Sequence, residues 1–250
     1  MSMPARLRAD LVCGIGLLSR LPTGWLAGDR LPCSMARSIW CWPLVGALLG
    51  GVTGLAYAGL LQCGLATLPA AAWSIGMQLL LCGGLHEDGL ADMADGCGGG
   101  RGRARKLEIM RDSRVGSYGV MALAVAMLVR IGALAAMPGM MALVALPVAG
   151  ALARAGMVVL LWRLPPARGD GLASTLRTLP RPALAACLCL TGALTALLLP
   201  GARAVVAMVV AVAATGVMCR LARWQLGGQT GDVLGATAVV TECAVLTALS

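Results

Sequence analysis

The sequence predicts an all-α, polytopic membrane helix bundle, on three observations. First, 59% of the 250 residues are hydrophobic and 12% charged, with a mean hydropathy of +0.84, which is more apolar than a soluble domain can bury. Second, the apolar residues form runs near twenty long and do not alternate, which suits helices that satisfy their own backbone in hydrocarbon and does not suit barrel strands. Third, the basic residues gather in the loops between those runs. Twenty Lys and Arg against eleven Asp and Glu would suggest a nucleic-acid partner in a soluble chain. Here the positive-inside rule accounts for the excess, and no nucleic acid is expected; cytoplasmic arginines also suit phosphorylated substrates.

In chain order, the segment 11–26 is too short and interrupted to cross and reads as a re-entrant or interfacial piece. Arg6 and Arg8 precede it, but Pro22, Gly24 and Trp25 make no small-residue cleavage site, so no cleavable signal is expected. Seven spans follow, at about 39–61, 66–85, 118–137, 139–162, 183–199, 203–219 and 233–249. Gly46, Gly50 and Gly54 lie four apart on the first, which predicts close approach of another helix. Pro69, Met137-Pro138-Gly139 and Pro200-Gly201 mark the hairpin tips on one side. Arg6 and Arg8, the 101–114 segment, Arg163 to Arg181, and Arg220 with Arg223 fall on the other, cytoplasmic side. Arg130 and Arg154 fall inside spans, where a charge needs a partner or an aqueous cavity, unless Arg130 lies nearer an interface. The ten cysteines show no C-x-x-C spacing and read as small buried hydrophobes, with no zinc or disulfide role expected. No linker or repeat divides the chain, so residues 1–250 form one domain.

The chemistry concentrates in residues 83–96, at the end of the second span. On a helix Asp88, Asp92 and Asp95 stand at i, i+4 and i+7 and share a narrow face. Such carboxylates repel unless a cation compensates them, and Mg²⁺ takes few carboxylates while keeping positions for phosphate oxygens. A solvated acidic helix end would not need glycines at 83, 84, 89, 96, 98, 99 and 100; of these, Gly84, Gly89 and Gly96 are read as places where backbone approaches a ligand. Arg101, Arg103, Arg105 and Lys106 read first as topology determinants. Arg111 and Arg114 flank Asp112, a pattern suited to a phosphate clamp with a further metal ligand or general base, and Ser113 and Gly116 belong to the same stretch. His86, the single histidine, is either catalytic or a hydrogen-bonding residue at the helix end. Thr230 and Asp232 sit in a polar island on the same membrane face, where Asp232 either joins the site or caps the last helix. The residues alone leave three readings open: a nucleotide-diphosphate phosphotransferase, a lipid headgroup transferase similar in chemistry to the CDP-alcohol phosphotransferases, and a cation-coupled transporter. The carboxylates' place at the membrane edge counts against the transporter.

Three ordered motifs resemble the cobalamin synthase family: His86-x-Asp88-Gly89-Leu90-Ala91-Asp92-x-x-Asp95-Gly96, Ile109-Met110-Arg111-Asp112-Ser113-Arg114-x-Gly116, and Gly228-x-Thr230-Gly231-Asp232-x-Leu234-Gly235-Ala236. The likeness runs from Ser19-Arg20-Leu21-Pro22 to the last helix and includes Arg154 and the stretch from Arg168 to Leu172. The chain departs from the family at Glu87, where an apolar residue is expected. The resemblance implies the last joining step of cobalamin assembly, in which α-ribazole or its 5′-phosphate attacks adenosylcobinamide-GDP and GMP leaves. It implies Mg²⁺ on Asp88, Asp92 and Asp95. Asp112, Arg111, Arg114 and His86 would be catalytic, and Gly84, Gly89, Gly96, Ser113, Gly116, Arg154, Thr230 and Asp232 would contact substrate. It further implies a bacterial inner-membrane location, an active site facing the cytoplasm and contact with membrane lipid, and leaves a homo-oligomer open.

Overall fold

A computed structural model describes residues 3–24, 33–169, 176 and 178–250. Its helices are α1 (Met3–Leu18), α2 (Met35–Ser38), α3 (Trp42–Gln62), α4 (Thr67–Cys82), α5 (Leu85–Gly99), α6 (Arg103–Ile109), α7 (Ser117–Ala136), α8 (Gly139–Arg163), α9 (Arg181–Leu198), α10 (Ala202–Leu226) and α11 (Gly231–Leu249). A 3₁₀ turn, Ile39–Cys41, joins α2 to α3. Among the described residues there is no strand, and one isolated bridge pairs Pro166 with Gln229. The all-α bundle expected from hydropathy is therefore the fold.

Among the described residues, six helices are long and apolar enough to cross a membrane, namely α2–α3 together, α7, α8, α9, α10 and α11. The expected span over 66–85 needs correction. Its helix, α4, ends at Cys82 after 16 residues, or about 24 Å against a hydrocarbon core of about 30 Å. The chain then bends by 91° into α5, and the pair counts as a seventh span only if both arms are taken together. Gly83 and Gly84 make the bend, with φ of 68° and 66°, a left-handed region that a Cβ disfavours. Arg20 locks the corner, because its amide donates to Leu81 O (2.7 Å) and its side chain fills the space beside Gly83.

The N-terminal piece is a helix that starts well before residue 11, while residues 25 and 26 of the expected segment lie outside the described residues. Asp10 anchors it, accepting from Arg37 Nε (2.7 Å) and Trp40 Nε1 (3.0 Å). Cys13 and Cys33 are joined in a disulfide, which corrects the reading of all ten cysteines as unpaired hydrophobes; both lie at the fold of this N-terminal layer.

The bundle is built around α8, buried along most of its length. Gly46, Gly50 and Gly54 of α3 lie against Gly150, Leu146 and Ala142 of α8, as their spacing predicts. A Cβ on Gly46 would sit 2.2 Å from Gly150 O, so the two backbones touch and no larger residue fits.

The intramembrane arginines have partners. Arg130 and Arg154 are each 2% exposed and Glu242 is 4% exposed. Arg130 pairs with Glu87 (2.7 Å) and with Glu242 (3.0 Å), and Arg154 pairs with Glu242 (3.4 Å). Gln78 Nε2 donates to Glu242 (2.9 Å). Two arginines and two glutamates balance to zero, which is what allows the cluster to sit away from water. Arg130 is thus buried and doubly paired, with Glu87 as one of its two carboxylate partners.

Candidate active site

Helix α5 carries Asp88, Asp92 and Asp95, the expected metal-binding residues, and its wheel shows how its side chains are shared out. At about 100° per residue, with Glu87 at zero, Ala91 falls near 40°, Asp95 near 80°, Asp88 near 100°, Asp92 near 140°, Gly89 near 200° and His86 near 260°. Two neighbours cover opposite sides of this wheel. Helix α7 takes the side from Glu87 to Asp95, through Arg130 and through Gly119, whose Cβ would meet Ala91 O at 3.1 Å. Helix α11 takes the side from Gly89 to His86. A Cβ on Gly89 would sit 2.8 Å from Asp232 O, and one on Gly235 would sit 3.1 Å from His86 O. Asp88 and Asp92 occupy the arc between, exposed and half-buried respectively.

The glycine contact brings Asp232 to the carboxylates. Asp88, Asp232 and Asp95 all act electrostatically on Asp92, and Arg168 is the opposing cation. Arg168 lies 3.8 Å from Asp232 and donates to Leu107 O (2.8 Å), which ties the loop after α8 to α6. Asp232 does not cap α11. Thr230 does, accepting from the Val233 amide (3.2 Å) while its hydroxyl donates to Asp232 (3.2 Å). The polar island is held from beneath by Ala167 N donating to Gln229 O (2.8 Å) and Gln229 N donating to Pro165 O (2.9 Å). Arg103 donates to Ala167 O (2.9 Å) and Lys106 to Gln225, so these two members of the basic run brace loops together.

Asp95 points differently from its two companions. It is buried, and its oxygens accept from Gly116 N (2.7 Å) and Gly119 N (2.8 Å), at the first turn of α7. A carboxylate there faces unsatisfied amides and the positive helix end. Among the described residues, no three His, Cys, Asp or Glu groups converge as a ready metal cage. The donor set nevertheless suits Mg²⁺, which binds through one or two carboxylates with substrate phosphates and water completing the octahedron. Asp88 and Asp92 are such a pair, and Asp232 adds negative charge beside Asp92.

The other expected site residues fall into place unequally. Asp112 lies on the surface between α6 and α7, held by Arg114 Nη2 (2.7 Å), Arg114 Nε (3.1 Å) and the Arg114 amide (3.1 Å). These bonds hold the carboxyl down to about 2, a poor match for a general base at neutral pH. Arg111 and Ser113 are exposed on the same loop. Arg154 is in the buried ion network, which corrects its reading as a substrate contact. His86 is buried toward α11 with neither ring nitrogen hydrogen-bonded, on the far side of the wheel from Asp92, so the expected catalytic grouping is not formed. Gly84 serves the bend, Gly96 admits Met110 and Lys106 O of α6, and Gly116 cradles Asp95. The part of the Arg168 to Leu172 stretch from 170 on lies outside the described residues. Sequence reasoning missed Glu242 and Gln78; an acid within the last apolar span was the available signal.

Residues 10–250 match the family model described as cobalamin-5-phosphate synthase. The chain is 42% identical to an adenosylcobinamide-GDP ribazoletransferase of Bradyrhizobium diazoefficiens, over 95% of this chain and 92% of that protein. It is 39% identical to the enzyme of that description in Mesorhizobium japonicum, over 97% and 93%. It is 42% identical to the one in Azorhizobium caulinodans, over 97% and 95%. No solved structure matches the chain.

Proposed function

The chain belongs to the cobalamin-5-phosphate synthase family, and on that premise we infer that it is a membrane-embedded ribazoletransferase that joins adenosylcobinamide-GDP to ribazole in the last step of cobalamin assembly. The observation that carries this to particular residues is the meeting of α5 and α11 at Gly89, which sets Asp88, Asp92 and Asp232 on one side with Arg168 beside them. Neither the lipid headgroup transferase nor the transporter gains support from the family match.

The reaction is a phosphoryl-group transfer. A hydroxyl of α-ribazole, free or as its 5′-phosphate, attacks the phosphorus that stays attached to cobinamide, and GMP departs with the bridging oxygen. Asp88 and Asp92 would hold Mg²⁺, with Asp95 spent on the α7 amides and Asp232 adding negative charge nearby. When bound there, Mg²⁺ supplies positive charge to the diphosphate and to the leaving GMP. Arg168, already at Asp232, is placed to orient a phosphate oxygen, and Arg111 and Arg114 on the exposed loop would receive the outer phosphates. Asp95 and Glu87 position α5. Asp112, committed to Arg114, is poorly placed to receive the attacking hydroxyl's proton. The basic loops on this face support an inner-membrane protein with its site toward the cytoplasm.

The test is GMP release by the detergent-solubilised protein given adenosylcobinamide-GDP and α-ribazole 5′-phosphate, with Mg²⁺ and then with excess chelator. GMP matched by a cobalamin product, and lost on chelation, is the expected result. Corrinoid product formed at full rate in chelator would remove the metal from the mechanism. Asp92→Asn is expected to lower turnover by at least about a hundredfold with the thermal midpoint retained.

A further inference from the structure

Away from the carboxylates, α8, α9 and α10 enclose a partly open cleft of about 1100 Å³. Its bore is apolar and lined by small residues, Gly156, Gly192 and Gly216 among them, and no acidic residue borders it. Thr191 and Thr215 are its polar side chains at depth, and Thr191 spends its hydroxyl on Cys187 O (2.7 Å). At one end stand Arg163, Arg220 and Arg223 with Trp224. Among the described residues none of these arginines is paired with a carboxylate; Arg223 reaches only Arg163 O, at 3.5 Å. Trp162 and Trp224, 56% and 78% exposed, flank that end as membrane-interface aromatics do.

The dimensions fit one leaflet. From Met208 at the deep end to Arg220 at the mouth, α10 rises about 18 Å, against about 15 Å for half of a hydrocarbon core. A corrinoid, rimmed with amides, would leave those groups buried without partners in such a bore. Three cations without a carboxylate partner among the described residues, Arg163 resting 5.0 Å over the Trp162 ring, stand above an apolar channel of acyl-chain depth and match a ligand with one anionic end and a hydrocarbon tail. We propose that this cleft is a binding site for an anionic glycerophospholipid from the leaflet on the arginine side, its tail along the bore and its phosphate at Arg163, Arg220 and Arg223. The site is separate from the carboxylates of α5, and it does not depend on the reaction assigned to them.

The test reads lipid, not turnover. The full-length protein is reconstituted in nanodiscs of equal phosphatidylglycerol and phosphatidylcholine, extracted in mild detergent, and the lipid that stays bound is quantified by mass spectrometry. The wild type is expected to retain phosphatidylglycerol at least about tenfold over phosphatidylcholine, at about fivefold per engaged arginine. Arg220→Gln with Arg223→Gln should abolish that preference. Gly216→Leu should exclude the lipid altogether, because nothing lies within 4 Å of a Cβ there and the new side chain occupies the bore without a clash. Equal retention of the two lipids by the wild type would overturn the proposal. So would a preference unchanged by both variants, which is the mark of lipid around the bundle, or displacement of the bound lipid by adenosylcobinamide-GDP, which would make the cleft a substrate site. A dimer that these variants break without any change in lipid would assign the cleft to a second copy and overturn it as well.

Discussion

The buried ion network makes a prediction whose sign can be worked out from its geometry. Glu242→Gln removes the carboxylate that serves both arginines. Arg130 keeps Glu87 at 2.7 Å, but Arg154 loses the one carboxylate it pairs with among the described residues, and the cluster changes from neutral to a net charge of about +1. At 3.4 Å and an effective dielectric near 20, the Arg154–Glu242 attraction is about 5 kcal/mol, and stranding a buried partner costs about 3–5 kcal/mol in measured cases. Against a total stability of about 5–15 kcal/mol, that is a midpoint shift of about 6–20 °C. Arg154→Met is milder, because Glu242 retains Arg130 (3.0 Å) and Gln78 (2.9 Å). Combining the two changes restores neutrality and leaves the Arg130–Glu87 pair intact. The double variant is therefore expected to melt above Glu242→Gln alone, so the second mutation rescues the first. Thermal unfolding of the four proteins in one detergent measures this directly. A double variant that melts below Glu242→Gln, by the sum of the two single losses, would refute the idea that charge balance holds this part of the bundle together.

Three further outcomes follow from the site. Asp95→Asn should cost about 1 kcal/mol and speed amide exchange at Gly116 and Gly119, while leaving the Mg²⁺ half-saturation of turnover unchanged; a rise in Mg²⁺ requirement equal to that of Asp92→Asn would make Asp95 a ligand after all. Gly89→Ala drives a Cβ to 2.8 Å from Asp232 O, so α5 and α11 must part, and kcat should fall about tenfold to a hundredfold, whereas Gly59→Ala, which meets nothing, should leave it unchanged. Because Arg114 lowers the Asp112 pKa, any stability from their pair is complete above the ordinary value of 3.8 and lost as pH falls from there through about 2. The pH–rate profile between about pH 5 and about pH 9 should then carry no limb from Asp112, and Arg114→Gln should add none; a new limb in that variant would return Asp112 to the list of bases.

Much of the bundle was legible because lipid imposes a simple rule. A chain that must bury every backbone amide in hydrocarbon announces its helices by apolar length, and the helices α3 and α7 to α11 lie where the runs of Leu, Ala and Val place them. The glycines at 46, 50 and 54 announced the α3–α8 contact for the same kind of reason, since a stripe without side chains has little other use. Hydropathy could not show that 66–85 is interrupted, because Leu85 continues the apolar count while the paired glycines before it decide the direction. The Cys13–Cys33 pairing was equally hidden, since a separation of 20 residues in sequence says nothing about which loop returns to α1.

On the acidic helix, spacing alone treats as equals three carboxylates that the structure places differently. Spacing alone places Asp88, Asp92 and Asp95 in an arc of about 60°, and on an isolated helix all three would serve one ion. What the spacing cannot contain is the neighbour on each side of that arc. Once α7 covers the edge near Asp95 and presents two amides, that carboxylate is drawn inward, and it does for α7 what a capping residue does. Once Gly89 lets the α11 backbone close on the other edge, Asp232 arrives there and acts electrostatically on Asp92. The same helix thus uses Glu87 and Asp95 to fix itself to α7, some two turns apart, and so leaves Asp88 and Asp92 between them facing outward at a set angle. On the assignment proposed above, a pair held by two anchors of its own helix would lose little freedom on binding a metal and a diphosphate, a form of preorganisation that a short helix on a bent corner would otherwise lack.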